Sequence, residues 1–197
     1  IEKETWHRIF NILQLRYHPV IIALRDRIRQ SKPGKKHDID LTYITSRGHW
    51  YYISWKGDIN KSGGVATNIG VHFFDMLEWI FGKEVSNKVH LLEKDKAAGL
   101  LELENASVRW FLSIDYNDLP GPVKEKGKRT FRSITVDGEE LEFSEGFTDL
   151  HTVTYQQIMK GNGYGLEDAR GSIDTVYKIR NSATSPLQGD YHPLIKK

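Results

Sequence analysis

Between Val85 and Ser144 the chain reads as one strand after another. Val85 to Lys94, Ala97 to Leu103, Ala106 to Asp115, Arg129 to Val136 and Glu140 to Ser144 all carry strand-type residues bounded by turn residues. Glu104-Asn105 and Asp137-Gly138 are tight turns, and Asp-Gly is a strong hairpin signal. Upstream of this run comes a strand and then a helix; downstream come helices. That order predicts an α+β domain with a mostly antiparallel open sheet and helices on one face. It also predicts a broad sheet face that the chain's own helices leave uncovered. Such a patch is expected to pair with a second copy, giving a homo-oligomer through the open sheet face.

The remaining segments fill in the plan. Trp6 to Leu15 reads as a strand ended by His18-Pro19. Val20 to Gln30 has apolar residues at 20, 21, 24 and 28, which is helical spacing. Asp38 to Ser54 alternates as strand, with a hairpin bend near Arg47-Gly48, and Lys56 to Gly64 reads as a Gly-rich loop. A helix is predicted from Val65 to Phe81, stopped by Gly82. Thr148 to Lys160 and Leu166 to Ser182 read as the closing helices, followed by an irregular tail.

Composition excludes several classes. The 197 residues contain no Cys, so disulfides, Cys-ligated metals and thiol nucleophiles are ruled out. The net charge of +2 gives no warrant for a nucleic-acid or membrane partner. The most apolar stretch, Val65 to Phe81, is interrupted by Asn68, His72, Asp75 and Glu78, short of the roughly 18 apolar residues a membrane span needs. No signal peptide is visible, and a cytoplasmic location is expected. The opening IEKET reads as the tail of a helix, which suggests a piece of a longer protein.

The helix after Gly63-Gly64 is the most informative segment. Asn68, His72, Asp75 and Glu78 follow one another at helical spacing and form one stripe on an otherwise apolar helix. A buried polar stripe costs stability unless each group is hydrogen-bonded or faces a wet cleft. Two readings follow: a satisfied structural network, or a site, with the Gly-Gly turn allowing close approach of a ligand. Just before it, Trp55 and Lys56 set an aromatic face beside a cation, with Arg47, His49, Trp50, Tyr51 and Tyr52 upstream. That collection suits a sugar or nucleotide, and equally an ordinary sheet surface.

Three other features carry less. Gly161 to Gly165 resembles a phosphate loop but follows a helix and lacks the spacing of the dinucleotide fingerprint, so it reads as a helix–helix connection. Lys124, Lys126, Lys128, Arg129 and Arg132 form a basic run that reads as a solvated loop. The eight His residues form no compact metal pattern, and no metal site is expected.

Three stretches then carry a resemblance. SGGVATNIGVHFFDMLEWIFG (Ser62 to Gly82) resembles the signature of the glucose–fructose oxidoreductase / inositol dehydrogenase / MocA (Gfo/Idh/MocA) family, in which a Gly-Gly turn leads into a helix bearing D-x-G-x-H-x-x-D. GYGLEDARGSIDTVYKIRNSA (Gly163 to Ala183) is similar to that family's closing helix, and ILQLRYHPVIIALRDRI (Ile12 to Ile28) to the start of its second domain. Within the family, Arg47 to Leu77 is most similar to the WlbA/WbpB branch. That branch comprises NAD-dependent dehydrogenases of the 3-hydroxyl of UDP-N-acetylglucosaminuronic acid, on the way to surface-polysaccharide (lipopolysaccharide) sugars.

The resemblance implies that this is the substrate-binding and oligomerising domain of a two-domain enzyme, spanning residues 16–197. Residues 1–15 would be the tail of a Rossmann domain and a crossover strand. NAD or NADP would be bound mainly by that other domain, with none expected on this part alone. His72 is implied as the acid/base group, with Asp75 as its orienter and with a Lys of the absent domain sharing the role. Arg16, Trp55, Lys56, Asn68 and Asp75 are expected around a UDP-sugar. Asn68 stands where the family has Asp; an amide can bond a hydroxyl but cannot take its proton. A non-catalytic assembly module of the same fold, or a dehydrogenase of another sugar or polyol, are the alternatives.

Overall fold

The computed structural model describes residues 2–147 and 149–196. Six strands form one sheet: β1 (His37–Thr45), β2 (Glu84–Leu92), β3 (Lys96–Leu103), β4 (Ala106–Ser113), β5 (Thr130–Val136) and β6 (Glu139–Glu142), in the order β2-β3-β4-β1-β5-β6. β2, β3 and β4 form an antiparallel meander, and β5 and β6 a hairpin. β1 joins the two halves, antiparallel to β5 but parallel to β4. The α+β reading with a mostly antiparallel open sheet holds; the long helical segment after β1 leads to β2, and the antiparallel β2-β3-β4 meander then sets β4 parallel to β1. Asp137 and Gly138 both have positive φ, 53° and 89°, as the tight β5–β6 hairpin requires.

Register sets the core. Ile39, Leu41, Val108, Trp110, Leu101 and Leu112 share one face and are all fully buried. Gly99 lies opposite Trp110, and a Cβ there would come within 2.8 Å of the indole, so the large ring is matched by a missing side chain. This face is covered by α2 (Pro19–Arg29), α5 (Gly64–Asn68), α6 (Val71–Phe81) and α9 (Leu166–Asn181). Short helices α1 (Glu2–Thr5), α3 (Trp50–Ile53), α4 (Ile59–Ser62) and α7 (Gly121–Glu125), with α8 (Leu150–Met159), complete the set.

The sheet's other face differs from the expected exposed apolar patch. Ile44, Ala98, Phe111 and Leu119 form a small second core there, packed by Val123 of α7 and by Leu194 and Ile195 of the tail. His192 stacks on Phe111 with centroids 5.5 Å apart and bonds the Thr42 hydroxyl at 3.0 Å. The rest of the face carries charge: Arg109 bridges Asp38 and Asp40, and Lys36 pairs with Glu102. Among the described residues, Val85 is the only strand member of the exposed large apolar set.

Several segments depart from their predicted form. Residues 6–15 make no strand; Asn11 alone bridges to Tyr164. His18-Pro19 starts a helix instead of ending a strand: the His18 ring accepts from the Val20 N–H, and Pro19 takes the first helical position. The strand from 38 stops at Thr45, and α3 replaces the expected hairpin. The expected Gly-rich loop contains α4, capped by Asp58. The helix of 65–81 forms but is interrupted at Ile69-Gly70, where the Gly70 N–H reaches back five residues to the Val65 carbonyl at 3.3 Å. A Cβ at Gly70 would meet the Ala66 carbonyl, so only glycine fits this bend. The predicted start of the first closing helix, Thr148, lies outside the described residues; the helix itself is α8.

Candidate functional site

Gly63 and Gly64, with φ of 76° and 79°, turn the chain from α4 into α5. This turn, the bend at Gly70 and the packing of Phe73 under Tyr43 (ring centroids 4.4 Å apart) bring Asn68 and His72 to one cavity of about 260 Å³. Lys56 also lines it, as do Arg47 beyond β1, Arg132 on β5 and His151 on α8. Trp55 does not: it is exposed, and Lys56 Nζ stands 5.9 Å from the ring centroids of both Trp55 and Trp50.

The electrostatics of this cavity are one-sided. Among the described residues, its lining holds three permanent cations, Arg47, Lys56 and Arg132, two histidines and no carboxylate. Arg132 lies flat on Phe147, its guanidinium carbon 3.8 Å from the ring centroid, and Nη1 donates to the Ser144 carbonyl at 3.2 Å. Burial pulls Arg132 below the ordinary guanidinium value, Tyr43 opposes this, and Arg47 adds to it. Arg132 Nε, Arg47 Nε and Gln14 Oε1 are buried without a hydrogen-bond partner among the described residues. Asn68 Nδ2 donates to the Tyr51 hydroxyl at 2.8 Å. Burial pushes the His72 imidazole below its ordinary value, and His151 pushes the same way, so the ring is neutral and able to accept a proton at neutral pH.

The polar stripe is divided between two sides of α6. Asp75 is buried, and both its oxygens are held by Arg16, so it does not orient His72 as expected. Arg16 itself donates to the Asp168 carbonyl at 2.8 Å and faces the Tyr164 ring at 4.5 Å. Arg16, Asp75 and Glu78 line a second, larger cavity between α6 and α9, apart from Lys56 and His72. The structure therefore brings Asn68, His72 and Lys56 together, and leaves Arg16 and Asp75 as an ion pair elsewhere.

Of the basic residues that line the cavity, Arg132 and His151 are the two that the sequence does not single out as site residues. The signal for Arg132 was strand parity. It shares the inward parity of Ile134 and Val136, so an alternating reading of β5 puts this one cation inside while its neighbours in the basic run stay outside. His151 carries no such signal.

Gly161 to Gly165 connects α8 to α9, as predicted. A Cβ at Gly163 would lie 2.5 Å from the Phe10 ring, so this glycine serves packing and leaves no cradle for a phosphate. Among the described residues, no group of three or more His, Asp or Glu could hold a metal ion, and no helix is long and apolar enough to cross a membrane.

Residues 25–182 match the family model described as "Oxidoreductase family, C-terminal alpha/beta domain". Among solved structures, the chain is similar to the WlbA (WbpB) dehydrogenase from Thermus thermophilus in complex with NAD and alpha-ketoglutarate. The TM-score is 0.93 at 50% identity, over 98% of this chain and 62% of that one. The same dehydrogenase in complex with NAD and UDP-GlcNAcA gives 0.92 at 49% identity, over the same shares of the two chains, 98% and 62%. The WlbA dehydrogenase from Bordetella pertussis, in complex with NADH and UDP-GlcNAcA, shares the fold at 19% identity, with a TM-score of 0.68 over 95% of this chain and 66% of that one. This chain therefore spans about 62% of the length of the Thermus relative. The signature helix, the sheet topology and these matches agree: the chain belongs to the Gfo/Idh/MocA oxidoreductase family and corresponds to its C-terminal alpha/beta domain.

Proposed function

We propose that this chain is the substrate-binding domain of an NAD-dependent dehydrogenase acting on the 3-hydroxyl of a UDP-N-acetylamino-uronic sugar destined for surface polysaccharide. One observation carries the reading: a neutral histidine lies in a cavity rich in permanent cations and free of carboxylates. Such a cavity selects an anion and leaves the imidazole as its proton acceptor. The ligands named for the Thermus relatives, UDP-GlcNAcA and alpha-ketoglutarate, are both carboxylates.

NAD supplies the hydride acceptor, held by a part of the full-length protein outside this chain, to which residues 1–15 lead. The residues here position and deprotonate. Lys56 and the two arginines fix the anionic substrate. Asn68 presents its amide oxygen to a sugar hydroxyl, its amide nitrogen being used by Tyr51. His72 accepts the hydroxyl proton as the carbinol carbon gives up hydride and becomes a ketone. Copies of the full-length protein associate over the far sheet face; light scattering showing a monomer at high concentration removes that part.

Calorimetry and NADH formation with the full-length protein test the reading. Binding and turnover of UDP-N-acetylglucosaminuronic acid are expected. Tight binding of free inositol or glucose, with none of the UDP-sugar, overturns the substrate assignment in favour of a polyol or simple-sugar dehydrogenase.

A further inference from the structure

Two guanidinium groups enter the cavity from neighbouring parts of the sheet. Arg132 is fixed on β5 opposite Tyr43, stacked on Phe147 and tied to the Ser144 carbonyl. Arg47 follows the end of β1, its backbone N–H anchored on the Ile114 carbonyl at 3.0 Å. Each has a buried Nε–H with no acceptor among the described residues. An unpaired donor on a charged group is costly, and two like charges facing one cavity add repulsion. Among the described residues, none of the lining groups is an anion that could relieve either cost. The domain therefore holds two guanidinium groups at one cavity whose described lining supplies no counter-ion for either.

We propose that Arg47 and Arg132 form a clamp for the carboxylate of the sugar and set the site's preference for a uronate over the neutral sugar. The proposal rests on the dehydrogenase reading above and deepens it. A guanidinium donates strongly to a carboxylate, and the plane of Arg132 is fixed in advance by its stack on Phe147 and its bond to the Ser144 carbonyl. A UDP-sugar carries two kinds of anion, the sugar carboxylate and the diphosphate. The carboxylate is the one assigned, because His72 lines the same cavity of about 260 Å³. The carbon that His72 serves belongs to the sugar ring, and the ring carboxylate travels with it. The diphosphate extends outward from the ring on the side of the nucleotide.

The test uses the full-length protein with two probes, UDP-N-acetylglucosaminuronic acid and UDP-N-acetylglucosamine, which differ by carboxylate against hydroxymethyl. Kd for each is measured for the parent, Arg47→Gln, Arg132→Gln, the double variant and Arg132→Lys. The parent is expected to prefer the uronate. Each single Gln variant should weaken uronate binding about 10- to 100-fold while changing the neutral sugar by less than about threefold. The double variant should lose the preference, and Arg132→Lys should fall between. An equal loss for both probes assigns the arginines to the diphosphate and overturns the clamp. A preference unchanged in the double variant also overturns it, while leaving the substrate reading intact. A parent that prefers the neutral sugar, or binds neither, defeats the substrate reading and the clamp with it. Should Arg132→Gln fail to fold, Arg47→Gln, which lies outside the strands, carries the same comparison.

Discussion

Arg16 closes on Asp75 with two parallel hydrogen bonds, Nε to Oδ2 at 3.0 Å and Nη2 to Oδ1 at 2.7 Å, and withholds that carboxylate from His72 on the same helix. Both side chains are buried, at 8% and 3% exposure, so the pair is desolvated as well as well aligned. It ties the 3₁₀ turn at Gln14–Tyr17 to α6, and through the Asp168 carbonyl to α9. Breaking one partner of such a pair leaves an uncompensated buried charge.

Asp75→Asn should therefore destabilise the domain by about 3–5 kcal/mol, read from the urea midpoint. In the full-length protein, at a temperature where the variant stays folded, the pH profile of kcat should keep its shape. A profile displaced along the pH axis would restore Asp75 as the orienter of His72.

Glu78, Thr175 and Glu84 make a second junction between α6, α9 and β2. The Thr175 hydroxyl lies 2.8 Å from Glu78 and 2.6 Å from Glu84, yet it has one proton to give. Burial raises Glu78 to about 7, with Thr175 opposing and with Asp75 and Glu84 adding. Glu84, though buried, stays below the usual carboxylate value because Thr175, Asn87 and Lys178 all donate to it. A protonated Glu78 can donate to Thr175, which donates to Glu84. Asp174, Arg170 and Lys178 of α9, Lys83 and Glu104 complete the charged surroundings. Because the folded pKa exceeds the unfolded one, the fold holds the proton more tightly, and stability falls as pH rises from about 4.5 through about 7. Glu78→Gln should match the parent near pH 5 and exceed it above pH 7 by up to about 3 kcal/mol. Parallel pH curves of Tm for the two proteins would refute this.

The tail titrates in the opposite sense. Burial lowers His192 to about 4, with Asp40 opposing and Arg109 adding. Its folded pKa lies below the unfolded one, so the unfolded chain binds the extra proton. Stability is full above about pH 6.5 and declines as pH falls towards about 4. His192→Phe keeps the ring on Phe111 and removes the titration. Hydrogen exchange of residues 190–195 should quicken on acidification in the parent and not in the variant.

These residues also show what the sequence discloses. Strand alternation and the Asp137-Gly138 turn disclose the sheet, because period and turn chemistry are local properties. The Gly63-Gly64 turn and His72 are legible for the same reason, since φ and helical spacing travel with the residue. The partners of the stripe are not. Asn68 ends α5 and Asp75 lies in α6, and Tyr51 claims one and Arg16 the other, across 17 and 59 residues of chain. Long-range pairing of that kind depends on how α6 is rolled against α9 and the sheet, which spacing does not encode. Arg132 lies between these cases: its parity was readable, and the surrounding basic run hid it.

His72 is the group on which the proposed chemistry turns. It is half-buried at the start of α6 and lines the cavity that Lys56, Arg47 and Arg132 make positive. Its own burial, with His151 adding, favours the neutral ring, so the acid limb of kcat should lie below the usual histidine range. Activity should fall on acidification because the protonated ring cannot accept the hydroxyl proton. His151→Gln removes the second cause of the depression and should move that limb to higher pH. His72→Gln in the full-length protein should cut kcat by about 10²–10⁴-fold, the usual loss of one general base. Its Tm should stay close to the parent's, because the ring faces the cavity and fills little of the core. Near-parental turnover in a folded His72→Gln protein would move the base to another group. Unfolding of that variant would instead make His72 a structural member of the α6 network.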